Sequence, residues 1–203
     1  PSPQMGGAAR ARLHDTHPVL DWLASLQNPK STVPPGWNAR IQQDRYWYYR
    51  FSCSGYSLLG FVMLACSIHL ETHVSQWWPW RLEGSLLVIQ GVASYCSDVV
   101  FVGKTSTAHL IDRNLATSLT LCAFARCALN IMRLGFSRMD AIQAGGHLSV
   151  LPLGVLLYFQ SKTVRLAGDF DAFVIWHSLW HLAFPLGGIL YYLYTVSIGA
   201  PVA

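Results

Sequence analysis

The stretch DAFVIWHSLWHLAFPLGGILYYLYTV, residues 171–196, decides the fold class of this chain. After its first residue it contains no aspartate, glutamate, lysine or arginine, and it closes with Tyr191, Tyr192 and Tyr194. About 20 consecutive apolar residues cross a bilayer as an α-helix, and tyrosine is enriched where such helices meet the headgroup layer. The stretch therefore predicts a transmembrane helix and places the chain among integral membrane proteins.

The overall composition agrees with a membrane protein. Of the 203 residues, 52% are hydrophobic and 12% are charged, whereas globular domains carry about 25% charge. The mean hydropathy is +0.31. The net charge of +4 is small and scattered, so we expect no nucleic-acid partner. The five cysteines show no paired-ligand spacing and are expected to act as small hydrophobic residues.

Four further apolar segments precede the deciding stretch, and they cover residues 51–70, 84–102, 114–134 and 147–161. The last of these is short for a span and contains Pro152. We therefore predict an all-α integral membrane protein, a bundle of about five transmembrane helices formed by residues 51–203.

Residues 1–50 form a polar N-terminal segment. Thr16 and Pro18 predict a helix start, and apolar residues then recur at helical spacing up to Leu26, which predicts an interfacial amphipathic helix. The basic and aromatic run from Arg45 to Arg50 suits the headgroup layer. We expect this segment to lie on the membrane surface or to dock on a partner protein.

Basic residues predict the orientation of a five-span bundle. Three basic residues, Arg81, Arg133 and Arg138, fall on one side. The N-terminal segment and the loops on its side hold ten: Arg10, Arg12, Lys30, Arg40, Arg45, Arg50, Lys104, Arg113, Lys162 and Arg165. The positive-inside rule then places the N-terminus in the cytosol, matrix or stroma.

Ionisable residues inside spans mark candidate functional positions, because they are costly in a bilayer. His177 and His181 lie four residues apart and share one helix face, a spacing that suits one metal ion. The same histidines could instead be hydrogen-bonded to neighbouring helices, or ligate haem or pigment. Arg126 also lies within a span, and its sequence context does not choose among a carboxylate, an interface and a lipid as its partner.

A second polar group, Ser97, Asp98, His109 and Asp112, surrounds the turn between the second and third spans. The predicted topology puts this group at the same end of the bundle as the His177–His181 pair, so we expect the two groups to meet. For Asp112 an alternative role is open, because an aspartate at this position also caps the third helix.

The order Ser97, Asp112 and Trp176-His177-Ser178-Leu179-Trp180-His181 resembles the superfamily of alkaline ceramidases and adiponectin/progestin receptors. Its pattern is a serine, a histidine four residues later, an aspartate on the next helix and His-x3-His on the final span. The resemblance implies metal-dependent hydrolysis of a lipid amide such as ceramide. Zn²⁺ would be held by His177, His181 and His109, with Asp112 as general base and Ser97 at the oxyanion.

Two departures from that pattern shape the functional prediction. Phe101 occupies the position four residues after Ser97, and the chain has room for fewer than the family's seven spans. We therefore predict a non-catalytic accessory subunit of a large energy-transducing membrane complex, contacting lipids and other subunits. Since the chain starts at Pro1, we expect a processed protein of a mitochondrial or plastid membrane. A zinc-dependent hydrolase is the alternative, and transporter, receptor, lipid-binding or pigment-carrying roles stay open.

Overall fold

The computed structural model describes residues 23–24, 26–73, 76–134 and 138–197, and these ranges fold into helices joined by turns and short irregular segments. An isolated bridge pairs Lys30 with Thr105. Most of the expected interfacial helix lies outside the described residues. The α-helices run in the order α1 (Asn38–Ile41), α2 (Trp47–Ser52), α3 (Gly55–His73), α4 (Trp80–Tyr95), α5 (Thr107–Leu134), α6 (Arg138–Leu166) and α7 (Phe170–Ser197).

The all-helical prediction is confirmed, and each of the five predicted spans falls largely within one long helix, α3 to α7. The fourth segment, expected to be short, lies within the 29-residue helix α6 and includes Pro152. Within the part of the chain that the structure describes, two helices are long and apolar enough to cross a membrane, through Gly55–Thr72 in α3 and Phe170–Tyr194 in α7. The five-span arrangement is therefore a proposal and is treated below.

Large apolar side chains point outward from every long helix. Ile68 is 68% exposed, Met132 is 80% exposed and Leu190 is 68% exposed. Other outward-facing members of this set are Phe61, Leu82, Ile89, Leu121, Leu156, Phe159, Leu186 and Leu193. A surface with so many exposed apolar residues is unfavourable in water and favourable against lipid tails.

Glycines bring α3 and α4 close together, and these two helices form an extensive contact within the bundle. At Gly60 an added Cβ would lie 2.6 Å from the carbonyl oxygen of Gly84 and 2.7 Å from the amide nitrogen of Val88. Both are backbone atoms, so a side chain at position 60 would push the helices apart. Small residues allow this kind of approach between helix backbones in membranes.

Gly60→Ala is accordingly expected to destabilise the bundle by about 1–3 kcal/mol, the usual cost of overpacking. Thermal unfolding in detergent measures the change. The control is Gly154→Ala, where the nearest neighbour of an added Cβ is a Trp180 carbon at 3.4 Å, an ordinary contact. Equal melting temperatures for the two variants would contradict a tight α3–α4 contact.

A buried ion pair at one end of the bundle gives Arg126 its partner. Arg126 on α5 is 2% exposed and pairs with Glu83 on α4. Its Nη2 donates to the hydroxyl of Tyr192 on α7 at 3.1 Å, and its guanidinium lies 4.7 Å from the ring centroid of Trp80. Arg126 thus connects three helices. Of the partners that the sequence left open for it, the structure shows a carboxylate.

The described part of the N-terminal segment is held on the chain's own helices. Arg113 donates hydrogen bonds to the carbonyl oxygens of Asn28 and Lys30, and Arg165 donates to that of Thr32. The ring of Trp37 packs edge-on against Phe170, with centroids 5.1 Å apart. This segment, residues 26–46, therefore lies across the end of the bundle where α5 and α7 begin.

Arg113→Ala is expected to loosen the strand-like contact between residues 28–31 and the loop before α5. A hydrogen bond to a charged donor contributes about 1 kcal/mol or more, which corresponds to roughly fivefold faster opening. Hydrogen exchange at the amides of Ser31 and Ser106, which bond across this contact, provides the measurement. Lys162→Ala removes a positive charge at the same end and should leave both rates unchanged.

Candidate metal centre

The His-x3-His pair on α7 converges on one point. Nε2 of His177 and Nε2 of His181 lie 2.8 Å apart, as expected for residues on successive turns of one helix face. His181 is 5% exposed, and the ring of Tyr49 stacks on that of His177 at a centroid distance of 5.4 Å. The pair therefore occupies a packed site within the bundle.

A carboxylate supplies the third donor of this site. Oδ2 of Asp98 lies 3.2 Å from Nε2 of His177 and 3.2 Å from Nε2 of His181. Asp98 is 7% exposed and belongs to a π-helical turn, Cys96–Val100, that continues α4. Such turns insert one residue into a helix and occur often at functional sites.

In both histidines the other ring nitrogen, Nδ1, lies within hydrogen-bond distance of a serine hydroxyl. Oγ of Ser94 lies 3.3 Å from Nδ1 of His181, and Oγ of Ser161 lies 3.3 Å from Nδ1 of His177. When each Nδ1–H donates to its serine, each Nε2 presents a lone pair toward Asp98. Metal-ligating histidines are oriented by this kind of outer partner.

Imidazole nitrogen and carboxylate oxygen are donor types that divalent transition metals bind, and here the three donor atoms also lie within hydrogen-bond distance of one another. In a tetrahedral site with Zn–N and Zn–O distances of about 2.0–2.1 Å, neighbouring ligand atoms lie roughly 3.3 Å apart. The two histidine–aspartate separations of 3.2 Å are close to that value, whereas the 2.8 Å between the histidine nitrogens is shorter and is a hydrogen-bond distance. Two histidines and one carboxylate are also a ligand set found in zinc hydrolases.

Cys53 lies beside the same donors. Its Sγ and the donor atoms of Asp98 and His181 all lie within 4.8 Å of one another. Cys53 is completely buried and sits between α2 and α3. A cysteine–aspartate–histidine group that could hold a metal ion is thus present, and Cys53 had been assigned only a packing role from the sequence.

The structure places Ser97 and His109 beside this candidate centre. Oγ of Ser97 lies 2.8 Å from Nδ1 of His109 and 3.2 Å from Oδ1 of Asp98. Nε2 of His109 lies 2.9 Å from the carbonyl oxygen of Lys104, which is the direction of an N–H donor. Both ring nitrogens of His109 are therefore engaged within the protein, and this geometry does not support His109 as a metal ligand.

Asp112 lies on the first turns of α5, where Nε2 of Gln90 donates to its Oδ1 at 2.7 Å. It lies just before the third predicted span. Gln90 thus ties Asp112 to α4, the helix that leads into the turn carrying Asp98.

Sequence reasoning named Asp98 in the polar group but did not assign it as a ligand. The signal was present, because Ser94 and Asp98 are four residues apart, as are the serine and first histidine of the resembled pattern. Starting the pattern at Ser97 led instead to Phe101, which is 37% exposed.

Comparison with family models, curated proteins and solved structures finds no match for this chain.

Proposed function

We propose that this chain is a metal-dependent hydrolase of the membrane, with a lipid amide as substrate. The observation that supports this most directly is the convergence of Asp98, His177 and His181 on one point. Three protein ligands are the number that catalytic zinc sites use, because a fourth position stays available for chemistry.

The resemblance to alkaline ceramidases supports the same proposal when the serine of the family pattern is aligned with Ser94 instead of Ser97. Asp98 then stands at the position of the first histidine, Asp112 lies on the next helix, and His177 and His181 complete the set. The remaining departure at these positions is aspartate in place of histidine, and aspartate also binds zinc.

The residues of this chain divide the chemistry between them. Asp98, His177 and His181 would hold the metal ion, which supplies Lewis-acid activation of water when bound. Asp112, which Gln90 holds by a hydrogen bond, would accept a proton from the attacking water as general base. Ser94 and Ser161 keep the imidazole rings oriented.

The proposed setting is a bundle of five spans, α3 to α7, with lipid-facing residues on each helix. Its N-terminus would lie in the matrix, stroma or cytosol, following the distribution of basic residues. A lipid amide would then approach the centre from the bilayer, at the end of the bundle covered by residues 26–46.

A non-catalytic accessory subunit of a larger membrane complex is the second candidate. Burial of the centre favours it, since the side chains of His177, Asp98 and His181 are only 14%, 10% and 6% exposed, which leaves little room for a substrate. From the sequence, the accessory role is predicted because Phe101 stands where the resembled family has its first metal-ligating histidine. In the hydrolase proposal, Asp98 takes the place of that histidine.

The two proposals are separated by assaying the full chain purified in lipid nanodiscs. Zinc content is measured by mass spectrometry, and fluorescent ceramide serves as substrate, with the matching fatty-acid ester as a control. One zinc per chain with release of fatty acid from ceramide supports the hydrolase. Stoichiometric zinc without hydrolysis, together with stable recovery in a multi-subunit complex, would contradict the hydrolase and support the accessory role.

Ser94→Ala and Ser161→Ala are each expected to weaken zinc binding about 10–100-fold, the usual effect of losing an outer partner of a metal ligand. Competition with a chromophoric chelator measures the dissociation constant. Ser85→Ala provides the control, because Ser85 also lies on α4 and its hydroxyl donates to the carbonyl oxygen of Arg81. Unchanged affinity in both test variants would argue against these orienting hydrogen bonds.

A further inference from the structure

We propose that Cys53 is a fourth protein ligand of the metal ion held by Asp98, His177 and His181, and that it closes the centre at rest. The inference rests on the metal centre of the proposed function. It specifies the resting coordination of that centre. The sulfur of Cys53 would occupy the fourth coordination position, which a catalytic site leaves open for water.

Position and burial single out this cysteine. Sγ of Cys53 lies within 4.8 Å of the donor atoms of both Asp98 and His181, and the residue is 0% exposed. Cys66, Cys96 and Cys122 belong to no such donor group within the described part of the chain. A buried cysteine ordinarily packs as a small hydrophobic residue, but three metal-binding side chains meeting at one place favour coordination.

The ligand set that results has a clear chemical consequence. On binding, the thiol proton leaves to solvent and a sulfur–metal bond forms. Four protein ligands are typical of structural zinc sites, whereas catalytic sites use three. If the centre stays four-coordinate, hydrolysis would require the sulfur–metal bond to break, the released thiolate to take up a proton from solvent and water to occupy the vacated position.

The proposed displacement would take place at the turn between two helices. Cys53 follows the last residue of α2 and precedes α3, which begins at Gly55. The ligand is thus attached at a break between two helices, while Asp98, His177 and His181 lie within helical segments. Movement at this break would withdraw the sulfur and leave the other three donors in position.

Cobalt substitution tests the coordination directly. The full chain in nanodiscs is loaded with one equivalent of Co²⁺, and the near-ultraviolet thiolate-to-cobalt charge-transfer band is recorded. We expect the band in the wild type, its loss in Cys53→Ser and Cys53→Ala, and its retention in Cys96→Ser and Cys66→Ser. A wild-type spectrum without the band, or a band that survives in both Cys53 variants, would overturn the proposal, whatever the folding of the variants.

Azide tests whether the centre is closed. Azide should shift the visible cobalt bands of Cys53→Ala, whose fourth position is open, and leave those of the wild type unchanged. An equal shift in the wild type overturns closure by Cys53. Cobalt bound by the wild type without a thiolate band refutes only this inference and leaves the three-ligand centre standing, whereas absence of cobalt binding refutes both.

Discussion

Asp98→Asn is expected to abolish stoichiometric zinc binding. The substitution keeps the shape of the side chain but removes the anionic donor that lies 3.2 Å from both histidine nitrogens. The loss should exceed the roughly 10–100-fold that substitutions of a ligand's hydrogen-bond partner cost, because the proposed ligand itself is replaced. Equilibrium dialysis with zinc, followed by metal analysis, measures the change, and ceramide hydrolysis should disappear with the metal.

Two variants control for this result. Asp44→Asn makes the same chemical change at an exposed carboxylate 4.0 Å from Arg50, and should retain one zinc per chain. Asp98→His restores a third imidazole and should also retain zinc, since three histidines form a common catalytic site. Full zinc binding by Asp98→Asn would show that Asp98 is not a ligand.

Arg126→Met is expected to lower the free energy of unfolding by about 3–5 kcal/mol, the range for breaking a buried ion pair from one side. Glu83, which is 7% exposed, would retain a charge without its main partner. The hydrogen bond to Tyr192 and the contact with the Trp80 ring would be lost as well. Unfolding by added denaturing detergent, followed by tryptophan fluorescence, measures the loss.

A second substitution separates loss of the ion pair from loss of packing. Arg126→Met combined with Glu83→Gln removes both charges of this pair, so the double variant should be more stable than Arg126→Met alone. Arg81→Met breaks an exposed pair with Glu71 at 3.0 Å and should cost about 0–1 kcal/mol. Similar losses for Arg126→Met and Arg81→Met would contradict the structural role of the buried pair.

Helix positions could be predicted from the sequence because apolar composition is a local property. Segments 84–102, 114–134 and 171–196 lie close to α4, α5 and α7. The first predicted span missed the break before Gly55, since the apolar run from Phe51 continues across it. The fourth was too short, because the hydropathy pattern followed only the apolar middle of α6.

The candidate site was predicted only in part. His177 and His181 lie on the same helix face because they are four residues apart. Their approach to the polar group near Asp98 follows from the predicted topology. The assignment of ligands did not follow. A π-helical turn at Cys96–Val100 changes which side chains face inward. No local sequence pattern predicted that turn.

The sequence by itself determined a helical chain with apolar segments and with two histidines on one face, because composition and short-range spacing act within a single helix. Only the tertiary structure decided that Asp98, rather than His109, faces those histidines, that Cys53 lies beside them and that Arg126 pairs with Glu83. These contacts join residues that are far apart in the chain, so they depend on helix packing and on one inserted residue in α4. Neither property can be read from a residue's near neighbours.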